Sequence, residues 1–409
     1  MTFIHAHRIG LRFRFAEPLV PGEDARVDFP DDVPVITDGT VTLRAHREDD
    51  VPALLEQATD PLMVAWTTVP VPSTEETSRK FATEVIPGGW RSDKAWAFAV
   101  EAVDDAGVPR FCGTVELRNE GDRRAEIAYA AHPWARGRGI ILRALNVLLD
   151  WGFEQKQLET VIWWANDGNW ASRKVAWRLG FSFDGTLRSW LPQRGELLDA
   201  WVGVLLSTDE RAPRHPWLEV PRIIGRNLVL RAHEPRDAER IREAGVDPRA
   251  RHWLALPDPY TLEVAESYIV SRHEGHASGT ALSWVAADPV TDALLANIAL
   301  MDIKAGDDAE IGYWTHPEAR GRGVMTEACR LVVRHAFIPE QDGGLGLKRL
   351  RIEASEGNAA SRHVIEANGF VETGRHRESS RLGDGTWVDS ITYDLLASEY
   401  SPPDVQPAT

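Results

Sequence analysis

The sequence predicts two consecutive α/β domains of one fold, each with a mixed sheet flanked by helices. Two observations support this prediction. An internal repeat runs through most of the chain, and strand and helix patterns alternate within each copy of the repeat. The length of 409 residues suits two domains of ordinary size, and the hydrophobic content of 43% is enough for each to bury a core.

The repeat consists of five landmarks that occur twice in the same order. Thr42–His46 matches Val229–His233 at an offset of 187 residues, and Ala125–Tyr129 matches Ala309–Tyr313 at an offset of 184. His132-Pro133 matches His316-Pro317, and Ala135–Gly139 matches Ala319–Gly323. The last landmark consists of Gly168–Arg173 and Gly180-Phe181, which match Gly357–Arg362 and Gly369-Phe370. Five ordered matches with a nearly constant offset indicate two copies of one fold.

These landmarks place the first domain at residues 36–206 and the second at residues 223–398. Residues 207–222 contain three prolines among charged residues, which predicts a short, stiff linker. Residues 1–35 have no counterpart in the second copy and form an N-terminal extension, while residues 399–409 form a proline-rich tail that we expect to be frayed.

In the second copy the elements follow one another as strand, helix, strand and helix. Glu310–Trp314 is predicted as a strand, and the apolar residues of Val324–Phe337 recur at helical spacing. Leu350–Ala354 alternates as a strand, Asn358 is a good N-cap, and Gly369 ends the second helix. The first copy repeats this order, which implies a crossover unit within a mixed sheet.

Composition narrows the function and the compartment. The formal charge of −16 argues against nucleic-acid binding and mildly favours a cationic partner through electrostatic steering. Cys112 and Cys329 form neither a disulfide framework nor a metal-ligand pattern, so a reducing compartment and no metal are expected. No apolar run reaches the roughly 20 residues of a membrane helix. We therefore expect a cytoplasmic protein without a membrane partner.

Two Arg-Gly-Arg-Gly loops are the most informative local feature. Each lies between a predicted strand and a predicted helix, where glycines let backbone N–H groups converge at a helix N-terminus. Flanking arginines can add charge-assisted bonds, so the loops can cradle a pyrophosphate, although an ordinary strand–helix turn would have the same pattern. A Walker loop does not occur, and Leu142 and Thr326 stand where the dinucleotide motif needs its third glycine.

The order Glu-Ile-x-Tyr, His-Pro, Arg-Gly-Arg-Gly, Asn-x-x-Ser and Gly-Phe resembles the GNAT superfamily of acyl-CoA-dependent N-acyltransferases. The branch that acetylates ribosomal-protein N-termini is the most similar. The resemblance covers both copies, and it implies two tandem GNAT-type domains, each with a splayed central sheet, and acetyl-CoA as the co-substrate. Ile141 and Met325 depart from the family pattern, which usually has a small residue at that position.

The resemblance also implies which residues bind acetyl-CoA. A splayed pair of parallel strands would grip the pantetheine arm, and the glycine loops would hold the pyrophosphate. The candidates are Trp314, Thr315, Arg320, Gly321, Arg322, Gly323, Val324, Met325 and Asn358 in the second copy, and Arg136, Gly137, Arg138, Gly139, Ile140, Ile141 and Asn169 in the first.

In this family the amine attacks the thioester directly, without a covalent enzyme intermediate. The candidate bases are Glu310 and Glu126, for which the alternative is an edge glutamate in solvent or in an ion pair. Ser361 and Ser172 match the serine that protonates or binds the departing thiolate, and helix capping is their alternative role. Backbone groups near Tyr313 and Trp314 could polarise the thioester carbonyl. Tyr313 itself is a further catalytic candidate as an acid, although strand tyrosines are more often packed.

The prediction is an N-acetyltransferase for a primary amine, either a small molecule or a peptide N-terminus. An acyl-CoA-binding sensor and a pseudo-dimer with a silent copy remain as alternatives. The second copy is the expected catalyst, because Gly312 and Thr326–Ala328 lie nearer the family pattern. The chain would be a monomer with an internal pseudo-dimer, or a homodimer.

Overall fold

The computed structural model describes residues 33–401, so the predictions for residues 1–32 and 402–409 lie outside the described part of the chain. The chain divides into two compact units, Met1–Ala212 (unit one) and Pro213–Thr409 (unit two). The division lies inside the segment that the sequence predicts as a linker. Leu218 donates its N–H to the His276 carbonyl, and Tyr400 packs on Phe337. Parts of the predicted linker and tail are therefore packed against the rest of unit two.

Unit one contains six α-helices and eight strands among its described residues. In chain order they are β1 (Ile36–Thr37), β2 (Val41–Arg44), α1 (Val51–Thr59), α2 (Pro61–Trp66), α3 (Glu75–Lys80), α4 (Ile86–Arg91), β3 (Ala95–Val103), β4 (Pro109–Gly121), β5 (Arg124–Ala131), α5 (Ile140–Gln155), β6 (Thr160–Asn166), α6 (Trp170–Arg178), β7 (Gly185–Gln193) and β8 (Glu196–Leu206).

Unit two repeats this arrangement with one helix fewer in the part that the structure describes. Its elements are β9 (Ile223–Ile224), β10 (Val229–Arg231), α7 (Ala238–Val246), α8 (Pro248–Trp253), α9 (Leu262–Ala277), β11 (Leu282–Ala287), β12 (Leu294–Met301), β13 (Asp308–Thr315), α10 (Val324–Phe337), β14 (Arg349–Ser355), α11 (Ala359–Ala367), β15 (Val371–Arg381) and β16 (Trp387–Leu396).

Each unit has one eight-stranded mixed sheet with helices on both faces. The strand order is β1-β2-β3-β4-β5-β6-β8-β7 in unit one and, read from the opposite edge, β15-β16-β14-β13-β12-β11-β10-β9 in unit two. Among the strands of residues 33–401, only β5–β6 and β13–β14 pair in parallel, and each of these pairs is joined by a crossover helix. The predicted fold class, two tandem α/β domains that each have a mixed central sheet flanked by helices, is therefore confirmed.

The parallel strands separate part way along their length. β13 pairs with β14 only from Asp308 to Glu310, although β13 continues to Thr315. In unit one β5 pairs with β6 from Arg124 to Ile127 and then continues without it. The remaining residues of β5 and β13 therefore face a gap between neighbouring strands, which is the predicted splay.

Side-chain alternation along each sheet separates two apolar layers. In unit two, Ile311 and Ile352 pack with α10 in the larger core, while α7 and α9 cover part of the opposite face around Val285. In unit one, the larger core likewise holds α5. This division places alternate residues of β13 on different sides of the sheet.

The repeated Leu-Arg-Ala-His motif encodes a buried ion pair. In unit two the Arg231 guanidinium makes two bonds of 2.8 Å to the Asp237 carboxylate, and the two side chains are 5% and 3% exposed. Arg44 and Asp50 make the same pair in unit one, at 2.7 and 2.8 Å. The motif is therefore structural, because each pair joins the second strand of its unit to the turn that begins the next helix.

Candidate functional site

Unit two has a cavity of about 490 Å³ beside the point where β13 and β14 separate. Its lining comes from α8, the end of β13, the glycine loop with the start of α10, and the start of α11. The predicted residues that line it are Tyr313, Trp314, Thr315, Arg320, Gly321, Gly323, Val324, Met325, Asn358 and Ser361. Residues that the sequence presents as separate motifs thus line one cavity.

The glycine loop gives the cavity a group of backbone donors. Gly321 and Gly323 both have φ of +73°, and a Cβ built on either would have no neighbour within 4 Å. The first helical bond runs from the Glu327 N–H to the Gly323 carbonyl, so the preceding N–H groups have no partner within the helix. The loop therefore suits an anion such as a pyrophosphate, by its donors, its open space and the helix dipole.

Unit one has the same loop geometry. Gly137 and Gly139 have φ of +72° and +74°, again with open space at the position of a Cβ. The first helical bond runs from the Arg143 N–H to the Gly139 carbonyl. The donors at the start of α5 are therefore arranged like those at the start of α10.

The loop arginines are held by carboxylates of the protein. Arg320 donates to Asp247 at 2.5 Å and Arg136 donates to Asp60 at 2.6 Å, and each hydrogen bond lowers the pKa of its aspartate. Arg138 pairs with the exposed Asp105. In the loop of unit two, Arg322 donates to the Glu318 carbonyl at the long distance of 3.5 Å. Arg320 and Arg136 therefore fasten the loops, a role that the sequence analysis did not predict for them.

The partners of these arginines begin the short helices α2 and α8, which the sequence analysis missed. Asp60 and Asp247 are their N-caps, and Trp66 and Trp253 are their last residues. Each tryptophan lies near the glycine that precedes the asparagine of the Asn-x-x-Ser motif. A Cβ on Gly357 would be 3.7 Å from Trp253, and a Cβ on Gly168 would be 3.6 Å from Trp66. The signal was present as a repeated Asp-Pro-x-x-x-x-Trp at an offset of 187.

The hairpin β15–β16 lies against the end of α8. Gly383 donates its N–H to the His252 carbonyl at 3.0 Å, and a Cβ on Gly383 would overlap the Arg251 carbonyl oxygen. Helix α8 thus contacts the glycine loop through Asp247 and the hairpin through His252.

A tyrosine–serine hydroxyl pair lies on the cavity wall. The Tyr313 hydroxyl is 3.0 Å from Ser361 Oγ and 3.2 Å from the Ser361 carbonyl oxygen. Burial raises the pKa of Tyr313, so the phenol stays protonated at neutral pH. In unit one Tyr129 and Ser172 form the same pair at 2.9 Å, and Trp163 also donates to Ser172 Oγ at 3.0 Å.

The asparagines of the Asn-x-x-Ser motif cap helices. Asn358 Oδ1 accepts the Ser361 N–H at 3.2 Å, and Asn169 Oδ1 accepts the Ser172 N–H at 3.1 Å. Capping is therefore done by the asparagines, and the serine hydroxyls point instead toward the tyrosines.

Glu310 and Glu126 lie on the sheet face opposite the tyrosine–serine pairs, and both make ion pairs. Glu310 Oε2 is 3.6 Å from Arg351 Nη1, while Glu126 Oε1 accepts from Arg118 at 2.8 Å. Burial raises the pKa of both carboxyl groups, with the arginines opposing that shift. A raised pKa suits a proton acceptor, and the weaker ion pair of Glu310 leaves it the freer of the two.

The other predicted cofactor residues are buried side chains or part of the cavity wall. The side chains of Val324, Met325, Ile140 and Ile141 are buried in the cores, so only their N–H groups can face a ligand. Trp314 donates from Nε1 to the Tyr268 hydroxyl at 3.2 Å.

The histidines of the His-Pro pairs, which the sequence analysis interprets as loop geometry, are buried in both units. His316 is bonded to Glu243 at 3.1 Å and to Arg240 at 3.1 Å. In unit one Ala53 stands at the position of Arg240, and the His132 ring makes no hydrogen bond among the described residues, although its Nε2 lies 3.5 Å from Glu56 Oε2.

Within residues 33–401, no group of three or more histidine, cysteine, aspartate or glutamate side chains is arranged to hold a metal ion. No helix in that same range is both long enough and apolar enough to cross a membrane.

Comparisons with known proteins agree with this architecture. The profile of the acetyltransferase (GNAT) domain matches the chain twice, at residues 40–182 and 227–371. YdaF of Bacillus subtilis (strain 168), whose name assigns it provisionally as a ribosomal N-acetyltransferase, is 32% identical over 182 residues, which are 43% of this chain and 95% of YdaF. YjcK of the same organism, by name a probable N-acetyltransferase, is 28% identical over 42% of this chain and 95% of its own length.

Among solved structures, Mycobacterium smegmatis RimJ in complex with CoA-disulfide is 21% identical, with a TM-score of 0.40, over 45% of this chain and 91% of RimJ. The two profile matches together cover more than half of the chain, and each lies within one of the two units. The chain therefore belongs to the GNAT family of N-acetyltransferases, of which it carries two tandem domains.

Proposed function

We propose that unit two binds acetyl-CoA in the 490 Å³ cavity and transfers the acetyl group to a primary amine. The observation that carries this proposal is that one cavity joins the Gly321–Gly323 loop to the Tyr313–Ser361 pair where two parallel strands separate. The family supplies the reaction class. Because unit one has the same loop and the same hydroxyl pair, the proposal extends to it.

Different elements of unit two bind different parts of acetyl-CoA. The N–H groups at the start of α10 hold the pyrophosphate, since they lack helical partners and face open space. The free edge of β13 beyond Glu310 has unpaired backbone groups for the pantetheine amides. Asp247 keeps Arg320 in place beside the loop, which limits the reorganisation that binding requires.

Bound acetyl-CoA supplies an acetyl thioester, whose C–S bond breaks as the new N–C bond to the amine forms. Glu310 accepts a proton from the ammonium form of the acceptor, either directly or through water, which frees the nitrogen lone pair. Ser361 and Tyr313 stand on the other side of the gap, where a hydroxyl can give a proton to the departing sulfur. Backbone N–H groups near Trp314 polarise the carbonyl oxygen.

The acceptor is a primary amine of a small molecule or of a peptide N-terminus. The name of YdaF as a ribosomal N-acetyltransferase supports the peptide N-terminus, because the two chains share 32% identity over almost all of YdaF. The net charge of −16 favours cationic acceptors of either kind.

The proposal is tested by measuring thiol release from acetyl-CoA against a panel of amines and short peptides, with acetyl-CoA affinity measured by calorimetry on the same protein. Release that depends on the amine supports the transferase. Binding without release for every amine would favour an acyl-CoA sensor, and absence of binding would contradict the proposal.

In a Gly139→Glu background, which disables the glycine loop of unit one, Glu310→Gln should lower kcat by about 100-fold, the usual contribution of a positioned general base. Because burial raises the pKa of Glu310 above its ordinary value of 4.5, kcat/KM of unit two should fall as the pH is lowered toward that pKa. The variant should lose this acidic limb, which a pH–rate profile measures. An unchanged profile would show that another group accepts the proton.

In the same Gly139→Glu background, Tyr313→Phe and Ser361→Ala should each lower kcat by about 100-fold, while the acetyl-CoA affinity of unit two changes little, because the hydroxyl pair acts on the departing sulfur. The double variant should be no worse than either single one, since the two hydroxyls act as a unit. Tyr400→Phe is the matched control, because the Tyr400 hydroxyl has no hydrogen-bond partner within the described residues. Equal kcat values for Tyr313→Phe and Tyr400→Phe would contradict the assignment.

A further inference from the structure

The two units present different side chains on the sheet face that holds their candidate bases. In unit two, Ile352 and Ala354 pack in the larger core, so the alternate residues of β14, among them Glu353, face the side of Glu310. In unit one, Val161, Trp163 and Ala165 of β6 pack in the larger core in the same way. The side chains of β6 that face Glu126 are therefore Ile162 and Trp164.

In unit two this face is polar and held together by hydrogen bonds. Ser390 donates to Glu353 Oε2 at 3.0 Å, and His376 Nδ1 is 3.5 Å from Glu353 Oε1. Ser379 Oγ is 2.7 Å from Ser390 Oγ, and Ser355 and Ser380 are paired at 2.5 Å. Glu353 and Ser379 are exposed on this face, while Ser390 is buried beneath them and bonds to both.

In unit one the corresponding positions are apolar. Trp164, Leu187, Trp190 and Ala200 stand at the positions of Glu353, His376, Ser379 and Ser390, as the strand registers show. The rings of Trp164 and Trp190 stack at 5.9 Å with an interplanar angle of 27°, and Trp190 is 38% exposed. Stacked, partly exposed indoles form a flat apolar surface where unit two has a hydrogen-bonding one.

This face is the side from which an amine reaches the gap between the parallel strands. The Tyr313–Ser361 pair and the glycine loop line the cavity on the other side, together with α10 and α11. Glu310 pairs with Arg351 away from that cavity. A nucleophile that gives its proton to Glu310 must therefore lie over the face that includes Glu353, or over Trp164 in unit one.

We propose that the two units acetylate chemically different amines. Unit one takes an amine attached to an aromatic or large aliphatic group, which packs on Trp164 and Trp190. Unit two takes an amine attached to a hydroxyl-bearing group, which hydrogen-bonds with the exposed Glu353 and Ser379. This proposal rests on the acetyltransferase function proposed above for both units.

The preference has a physical basis in desolvation. An aromatic side chain that packs on the indoles of unit one leaves water, whereas the same group placed over Glu353 would remove water from that partly exposed carboxylate without replacing it. Conversely, a hydroxyl over the tryptophans would have no partner there. Contacts of this kind discriminate between side chains by about tenfold or more.

The experiment compares two acceptors with the same reacting amine, L-phenylalaninamide and L-serinamide. Gly323→Glu disables the glycine loop of unit two and leaves unit one, while Gly139→Glu does the reverse. We expect the ratio of kcat/KM for phenylalaninamide to that for serinamide to be higher in Gly323→Glu than in Gly139→Glu, by about tenfold or more.

A reciprocal exchange assigns the effect to the indoles. In the Gly323→Glu background, Trp164→Glu should lower kcat/KM for phenylalaninamide by about tenfold, and Trp164→Phe should restore most of it, because a ring still fills the position. In the Gly139→Glu background, Glu353→Trp should shift the preference toward phenylalaninamide. Acetyl-CoA binding by each variant shows that the remaining unit is folded.

Equal ratios in the two loop variants would overturn the proposal while leaving the acetyltransferase function intact. Acetyl-CoA binding by Gly323→Glu without acetylation of either amide would also overturn it, because unit one would then be silent. A wild-type chain that neither binds acetyl-CoA nor releases thiol would instead contradict the proposed function itself.

Discussion

Titration of Gly323→Glu with acetyl-CoA should reveal one binding site where we expect two in the wild-type chain, with the affinity of unit two reduced by about 100-fold or more. Gly323 lies at the start of α10 with φ of +73° and open space at the Cβ position. The new carboxylate would stand where the N–H groups converge on a pyrophosphate, and like charges in contact cost several kcal/mol. Gly139→Glu should remove the site of unit one in the same way.

Gly343→Glu is the matched control for this experiment. Gly343 also has a positive φ, +85°, and open space at its Cβ, but it lies in the segment between α10 and β14 and does not line the cavity. Gly343→Glu therefore introduces the same backbone strain and the same added charge, but away from the proposed pyrophosphate site. Two sites retained in Gly323→Glu, or a site lost in Gly343→Glu, would contradict the assignment of the loop.

Arg231→Met should lower the free energy of unfolding of unit two by about 3–5 kcal/mol, because it leaves the carboxylate of Asp237 buried without its charge partner. Asp237 is 3% exposed, and its carboxylate accepts two bonds from Arg231 and one from the Glu234 N–H, so Arg231 is its charged partner. Guanidinium unfolding followed by tryptophan fluorescence should then show an early transition for unit two, with the transition of unit one unmoved. Arg44→Met should produce the converse result.

A surface pair provides the comparison. Arg242 and Glu239 form a salt bridge at 2.5 Å on α7, with side chains 36% and 54% exposed. Exposed ion pairs are screened by solvent and add little to stability, so Arg242→Met should leave both transitions in place. If Arg231→Met and Arg242→Met unfolded at the same denaturant concentration, the buried pair would not be the stabilising element that its geometry indicates.

Much of the fold could be predicted because its signals are local. The glycines of the loops adopt the positive φ that permits the turn, and Asn358 caps α11 as its position before the helix predicts. The duplication strengthened each of these interpretations, since a chance pattern in one copy would have no match in the other. The gap between β13 and β14 was implied by the family resemblance alone, because strand separation leaves no mark on residue spacing.

The side-chain contacts between distant elements could not be predicted in the same way. Nothing local indicates that Arg320 meets Asp247, since the two are far apart in sequence and either could pair with many other charges. The repeated Asp-Pro-x-x-x-x-Trp was visible, however, and would have located α2 and α8. The burial of His316 was also missed, because it depends on Arg240 and Glu243 in a helix that precedes it by many residues.

The close contact of Gly383 with α8 has a practical consequence for engineering of acceptor choice. The hairpin is an obvious segment to randomise, yet any side chain at Gly383 would meet the Arg251 carbonyl oxygen and force the hairpin away from the helix. A combinatorial library would therefore keep Gly383 constant and vary His376 and Ser379, whose counterparts in the other unit are already Leu187 and Trp190. The duplicated chain thus contains two natural solutions from which such a library can start.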